Sequence, residues 1–342
     1  MTRKTWAYAL VMTVALAGLF TANLTFGSVH IPMRQVLHIL LGGEAERASW
    51  GFIVLQSRLP QAVTALLCGA SLAVSGLMLQ TYFSNPLAGP SILGITNGAS
   101  LGVALVVMVT GGVLGSPTMG DGNLHLAGYL AIVAAAFLGA MAVIALLLGL
   151  TRYVKNRLVI LIVGIMTGYL TSSVVSLCNF FATAENVHTY VHWGMGSFSN
   201  VNLSQLPFFS AVCLTGLAIS LCIVKPLNAL LLGENYAINL GVNIRRVRQA
   251  ILLATGLLTA VTTAFCGPVA FIGLAVPHMA KLLLRDTDHR VLLPATLLLG
   301  AGIALVCNLL CVLPGDFVMP LNAVTPLFGA PVIIYILLKR PF

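Results

Sequence analysis

From Thr5 to Phe26 the chain runs through apolar and small side chains without one charged residue, and stretches of about that length recur to its end. About 20 mostly apolar residues span the hydrocarbon core of a bilayer. By that measure the pattern predicts membrane-crossing segments at 5–26, 60–82, 92–111, 126–149, 158–181, 204–224, 248–266, 271–284, 293–312 and 325–338. The runs lack the two-residue alternation of barrel strands, so they are read as helices. The fold expected is all-α, a polytopic bundle of about ten transmembrane helices in a single domain over residues 1–342.

The polar connections test that count. With both ends on the cytoplasmic side, all 17 Lys and Arg except Arg34, Arg47 and Arg58 fall in cytoplasmic connections, the asymmetry that membrane insertion imposes. The first run follows Arg3 and Lys4 as a secretion signal would, but it is long enough to span and Thr21-Ala22-Asn23 is a poor cleavage site, so it is read as a retained span. Two outer connections are long enough for structure of their own. In 27–57, Ile31, Val36, Leu37 and Leu40 suit a short interfacial helix, and 183–202, with Tyr190, Trp193, Gly194 and Gly196, reads as a re-entrant or capping helix. The aromatic residues there serve equally well as interface anchors.

Composition narrows the chemistry. Hydrophobic residues make up 59% and charged residues 7%, with a mean hydropathy of +1.02, far below the charge of a soluble domain. The net charge of +9 is dispersed among short connections, without the basic cluster and aromatic platforms that nucleic acid requires. All eight acids (Glu44, Glu46, Asp121, Glu185, Glu234, Asp286, Asp288 and Asp316) lie in connections, which argues against coupling to a proton or sodium gradient. There is no G-x-x-x-x-G-K-[ST] run, so any ATP that drives this chain is hydrolysed elsewhere. The seven cysteines, Cys307 and Cys311 among them, are read as packing residues, and His278 as a structural hydrogen-bonding group with no ligand set around it. No catalytic or metal-binding residue is expected.

Four segments carry more than composition. Arg58-Leu59-Pro60 precedes Gly69, Ala73 and Gly76, small residues that let helix backbones approach closely, and then Asn85-Pro86-Leu87-Ala88-Gly89-Pro90, which forces a non-helical turn on the cytoplasmic side. Leu230, Leu231 and Leu232, then Gly233-Glu234, Ala237, Leu240-Gly241-Val242 and Arg245-Arg246, read as a partly apolar helix ringed by charge, fit to dock on a cytoplasmic partner. The segments Gly267 to His278 and Val324 to Pro331 interleave prolines and glycines within or beside spans. Freed backbone groups there must be satisfied by neighbours or by a water-lined cavity.

In their order and spacing these segments resemble the permeases of ABC importers for ferric siderophores, haem and vitamin B12, over nearly the whole chain. The resemblance implies a type II importer permease in the cytoplasmic membrane: a homodimer around one pathway, two cytoplasmic ATPase subunits that hold ATP and Mg, and an extracytoplasmic substrate-binding protein. It implies no enzyme activity and no cofactor in this chain. It makes Gly233, Glu234, Ala237, Leu240, Gly241 and Val242 the ATPase-coupling segment, and Asn85, Leu87, Lys155 and Asn156 the cytoplasmic gate. Gly164, Gly168, Trp193, Gly196 and Ser197 become pathway-lining residues, and Arg58 the anchor for the binding protein. Where the family carries further charges on that outer face, this chain has Gln61 and Asn308, and Met319-Pro320-Leu321-Asn322 stands in place of the usual Leu-Pro-x-Gly. A ferric siderophore is the first substrate expected, ahead of cobalamin and haem; a gradient-driven carrier without an ATPase is the rival class.

Overall fold

The structure is a computed structural model that describes residues 3–109, 122–154, 156–313 and 318–339. Its elements follow the apolar runs closely. They are α1 (Arg3–Thr25), α2 (Met33–Leu40), α3 (Ala48–Phe52), a π-helical turn (Ile53–Arg58), α4 (Leu59–Phe83), α5 (Ile95–Val109), α6 (Gly122–Leu150) and α7 (Arg157–Phe181). Next come α8 (Ala184–Gly194), α9 (Leu206–Cys222), α10 (Val224–Leu231), α11 (Glu234–Asn239), α12 (Ile244–Cys266), α13 (Ile272–Leu284), α14 (His289–Val312) and α15 (Leu321–Lys339). Among the described residues six helices are long and apolar enough to cross a membrane, and α9 with α10, bent by 51°, makes a seventh when taken as one span. Three shorter apolar helices, α5, α13 and α15, stand where the other three of the ten expected spans were placed.

The ends of these helices are set by side chains chosen for the purpose. Asn156, Thr183, Asn243 and Asp288 each accept a backbone N–H of the first turn of α7, α8, α12 and α14, which satisfies donors a helix cannot pair itself. The chain leaves α4 and α13 through Ser84 and Arg285 in the left-handed conformation.

The basic connections gather at one end of the bundle. There Arg157 donates to the carbonyl of Tyr82 at the end of α4, and Arg248 at the start of α12 donates to the carbonyl of Val154 between α6 and α7. At the opposite end α2 lies beside the π-helical turn, burying Val36 and Ile39 while exposing Met33, Leu37 and Leu40. Its apolar face is therefore shared between the protein and its surroundings.

At the centre stands α4. Nearly all of its residues are buried, enclosed by α9, α12, α13 and α14, while α1 packs outside α14 and α5 joins α6 and α7 to the core. Close approach depends on missing side chains: a Cβ on Gly76 would sit 1.6 Å from the carbonyl oxygen of Gly273, and one on Gly69 2.3 Å from that of Gly300. In lipid, where apolar surface gives helices no reason to associate, such van der Waals contact between backbones is a main source of cohesion.

Gly76→Ala is expected to force α4 and α13 apart and to lower stability by about 1–3 kcal/mol. The thermal midpoint of the purified protein in detergent measures this. Gly18→Ala, at a position with nothing within 4 Å, is the control; equal midpoints for the two variants would refute the contact.

Candidate functional site

At the basic end α10 and α11 pack against each other. Gly233, at φ 104°, turns the chain between them. Ala237 is fully buried and its N–H donates to the Gly233 carbonyl; its own carbonyl accepts from Val242, and Gly241, at φ 79°, completes the return. With the inner side of the loop closed in this way, Leu231, Leu232, Tyr236, Ile238 and Leu240 are left outside, each 46–65% exposed. Glu234 approaches Arg248 at 4.0 Å, and Arg152, Arg245 and Arg248 line a cleft of about 320 Å³ beside them. The six residues singled out as a coupling segment thus form one compact turn, with apolar knobs on an arginine-lined base.

The neighbouring turn after α4 is held by two side-chain hydrogen bonds. Asn85 accepts the backbone N–H of Leu87 at 2.9 Å, and His278 donates from Nε2 to the carbonyl of Pro86 at 2.7 Å. Leu87 is exposed at the tip. Asn156 lies at the same end as the cap of α7. Lys155, the remaining gate residue, lies outside the described residues.

From this turn the chain rises without helix to Gly94, and Pro90 meets Gly273. Here the second interruption arrives from the other side. Between α12 and α13 residues 267–271 are not helical, and Phe271 holds a φ of 66°, a conformation that is uncommon and strained for a bulky side chain. Gly329 leaves room for its Cβ. A cavity of about 170 Å³ lies between the two interruptions, lined by Gly89, Pro90, Ser91, Ile92, Val269 and Ala270 among others. Irregular backbone at membrane depth is tolerated where protein or a cavity takes up its polar groups.

Asn322 does much of that at the opposite end. Its Nδ2 donates to the carbonyls of Gly194 and Pro268 at 2.9 and 2.6 Å, and its Oδ1 accepts the N–H of Ala270 at 3.2 Å. One side chain thereby joins α8, the broken stretch before α13 and the start of α15. Gly196, at φ 71°, and Ser197 belong to this junction: Ser197 N–H donates to Cys266, and the Gly196 carbonyl accepts from Leu321. Trp193 is buried beside it, with its carbonyl against Gly267.

Gly164 and Gly168 are buried against Leu93, Gly94 and Asn97, and Asn97 Nδ2 donates to the carbonyl of Gly168 at 3.0 Å. The GxxxG face of α7 is therefore occupied by its own chain. The side of α7 left open carries Ile162, Met166, Tyr169, Leu170 and Leu177.

Arg58 is only 6% exposed. Its guanidinium turns inward and donates to the carbonyls of Leu24, Thr25 and Val29, so it clamps the stretch after α1 where the sequence suggested an anchor held out for a partner. Beside it Gln61 donates to Asn308 at 2.9 Å and Asn308 donates to Asn23 at 2.8 Å. This uncharged ladder borders a cleft of about 240 Å³. Sequence reasoning marked Gln61, Asn308 and Asn322 only as departures from a pattern. The available signal was that each is an amide in an otherwise apolar stretch, where a polar group needs a partner.

A model of the FecCD transport family matches residues 14–339 of this chain. The vitamin B12 import system permease protein BtuC of Klebsiella pneumoniae is 34% identical over 305 residues, covering 87% of this chain and 86% of that protein. Its counterpart in Escherichia coli O1:K1 is 34% identical over 294 residues, 84% and 83% of the two chains. Among solved structures, one described as a metal-chelate type ABC transporter in an inward-facing conformation matches with a TM-score of 0.83 and 28% identity, over 97% of this chain and 99% of that one.

Asn322→Ala should leave two buried carbonyls and one N–H without partners and lower stability by about 1–3 kcal/mol. Hydrogen exchange at the Ala270 amide is expected to accelerate well beyond the global change. Unaltered protection at Ala270 would mean that the junction does not depend on Asn322.

Proposed function

Because the chain belongs to the FecCD transport family, we propose that it is the membrane permease of an ATP-driven importer that moves a bulky metal chelate across the cytoplasmic membrane. The observation that carries this reading is the turn around α11. Its exposed apolar side chains, set on arginines at the basic end, have the form of a plug for a groove in another protein. In this reading both termini and the basic end face the cytoplasm, in keeping with the retention of Lys and Arg there. Two ATPase subunits hold ATP and Mg and receive Gly233 to Val242; a substrate-binding protein delivers the cargo at the opposite end.

Two copies of the chain enclose the pathway, using the exposed apolar faces of α7 and α15. Leu87 and Asn156, with Lys155, stand at its cytoplasmic mouth, and Gly196 and Ser197 at the far one. Arg58 serves docking indirectly, by holding the backbone of residues 24–29 beneath exposed Phe26 and Val29. The work required is a change of helix packing driven from the ATPase, for which this chain supplies levers and no reacting group. Every acid among the described residues lies outside the ten spans, which favours ATP over an ion gradient as the source of energy. The names of the relatives make cobalamin a cargo to test alongside ferric siderophores and haem.

Proteoliposomes containing the permease and its ATPase are expected to take up the chelate only with ATP on the ATPase side and the binding protein on the other. Uptake driven by an ion gradient without ATP would instead establish a secondary carrier. Leu240→Asp should reduce uptake per ATP hydrolysed by about tenfold, equivalent to about 1.4 kcal/mol of coupling. Wild-type coupling in that variant would remove α11 as the docking element.

A further inference from the structure

Above the docking turn, α10 is joined to the bundle by polar contacts that its role as a plug does not call for. Asn228, in the middle of α10, donates from Nδ2 to the Asp288 carboxylate at 2.5 Å, and its Oδ1 lies 2.8 Å from both the backbone N and ring Nδ1 of His289. The Asp288 carboxylate also accepts the N–H of Arg290 at 2.8 Å; this bond first, and the Asn228 amide with it, hold the acid below its usual pKa against the opposing effect of burial. Since Oδ1 of Asn228 can only accept, Nδ1 of His289 carries the proton, and in the neutral ring Nε2 is an acceptor; the single proton of the Thr81 hydroxyl is shared between this nitrogen, 2.8 Å away, and the Leu77 carbonyl at 3.0 Å. His289 is 1% exposed, so these partners do not exchange readily for water.

The contacts continue from Thr81 through its chain neighbour. Gln80 donates to the carbonyl of Leu274 at 3.1 Å and accepts from Lys281 at 3.4 Å, both on α13. One turn along the same helix, His278 holds the carbonyl of Pro86 in the turn that carries Leu87. Polar contacts, joined by the backbone between Gln80 and Thr81 and along α13, thus connect α10 with the start of α14, the end of α4, α13 and the turn after α4.

We infer that Asn228, His289 and Thr81 are positioning residues of the transport cycle, tying the docking segment to α4 so that displacement of α10 and α11 moves the Pro86–Leu87 turn with it. The inference rests on the proposed function and adds to it the route by which the docking segment and the gate are joined. A buried bond has two states, made or broken, and breaking it leaves amide, imidazole and hydroxyl groups unpaired in an apolar surround. Sliding of α10 independently of α14 and α4 is therefore disfavoured, and movement as one body is favoured. Packing alone would resist separation of these helices but would not fix their register, because apolar contacts are not directional.

The test uses the complete importer, permease with its ATPase, in lipid nanodiscs. A spin label at Leu87→Cys in both copies, with Cys178 and Cys222 replaced by serine, reports the distance between the two turns with and without ATP. Thr81→Val keeps the shape of threonine and removes the hydroxyl; Thr81→Ser keeps the hydroxyl. Thr81→Val and Asn228→Ala are each expected to reduce the ATP-dependent population of the displaced distance by about threefold while ATP hydrolysis continues, and the double variant to do no worse than either alone. Thr81→Ser should behave as wild type. A wild-type response in Thr81→Val and Asn228→Ala, or effects that simply add in the double variant, would overturn the inference and leave the importer reading intact. Loss of the ATPase from the Asn228→Ala complex would also overturn it, by showing that Asn228 shapes the docking surface. If the unmodified permease gives no ATP-dependent change at Leu87 at all, the proposed function itself fails.

Discussion

A peptide group in hydrocarbon must find its hydrogen-bonding partner within the protein, because the lipid offers none. Ten helices meet that demand by themselves. The places where this chain departs from helix are consequently the places where it has been given polar side chains: Asn85 and His278 at the turn after α4, and Asn322 at the junction of α8, α13 and α15. The short α13, at about 1.5 Å per residue, covers only about 20 Å of a 30 Å core. The non-helical stretch before it must therefore be supported by neighbours, and the bonds from Asn322 to Pro268 and Ala270 do that.

The same demand separates the stiff parts of the molecule from those free to change partners. Where Gly69 and Gly76 bring α4 against α14 and α13, backbone lies on backbone and no side chain is available to rearrange. The α11 turn and the open side of α7 are different, being held from one side only, with large apolar residues exposed on the other. A permease that works by repacking needs both kinds of region.

Much of this was legible in the sequence, for physical reasons. Apolarity and length are nearly all that lipid requires of a span, so spans could be read almost to their ends, and 158–181 became Arg157–Phe181. Glycine and proline announced both interruptions, and the exposed face of α11 was visible as leucines stranded among charges. What could not be read was the pairing of single polar residues across 54 to 285 positions. Nothing near Asn322 indicates that it meets Gly194 and Pro268, and nothing near Asn23 points to Asn308. Arg58 shows the same limit. Its place at the start of a span gives no sign that the carbonyls of Leu24 and Thr25 converge on it. Likewise nothing near Gly164 and Gly168 indicates that they lie against Leu93, Gly94 and Asn97 of the same chain.

The burial of α4 has a consequence for how the protein is made. It is the second long helix to leave the ribosome, yet α12, α13 and α14, which enclose it, follow only after residue 243. At about 5–20 residues per second, translation leaves α4 in the membrane for on the order of ten to thirty seconds before those neighbours exist. During that interval Thr64, Ser71, Ser75 and Gln80, all buried in the finished protein, face lipid or the insertion machinery. The helix most central to the folded bundle thus passes an interval with these polar side chains outside the enclosure that later buries them.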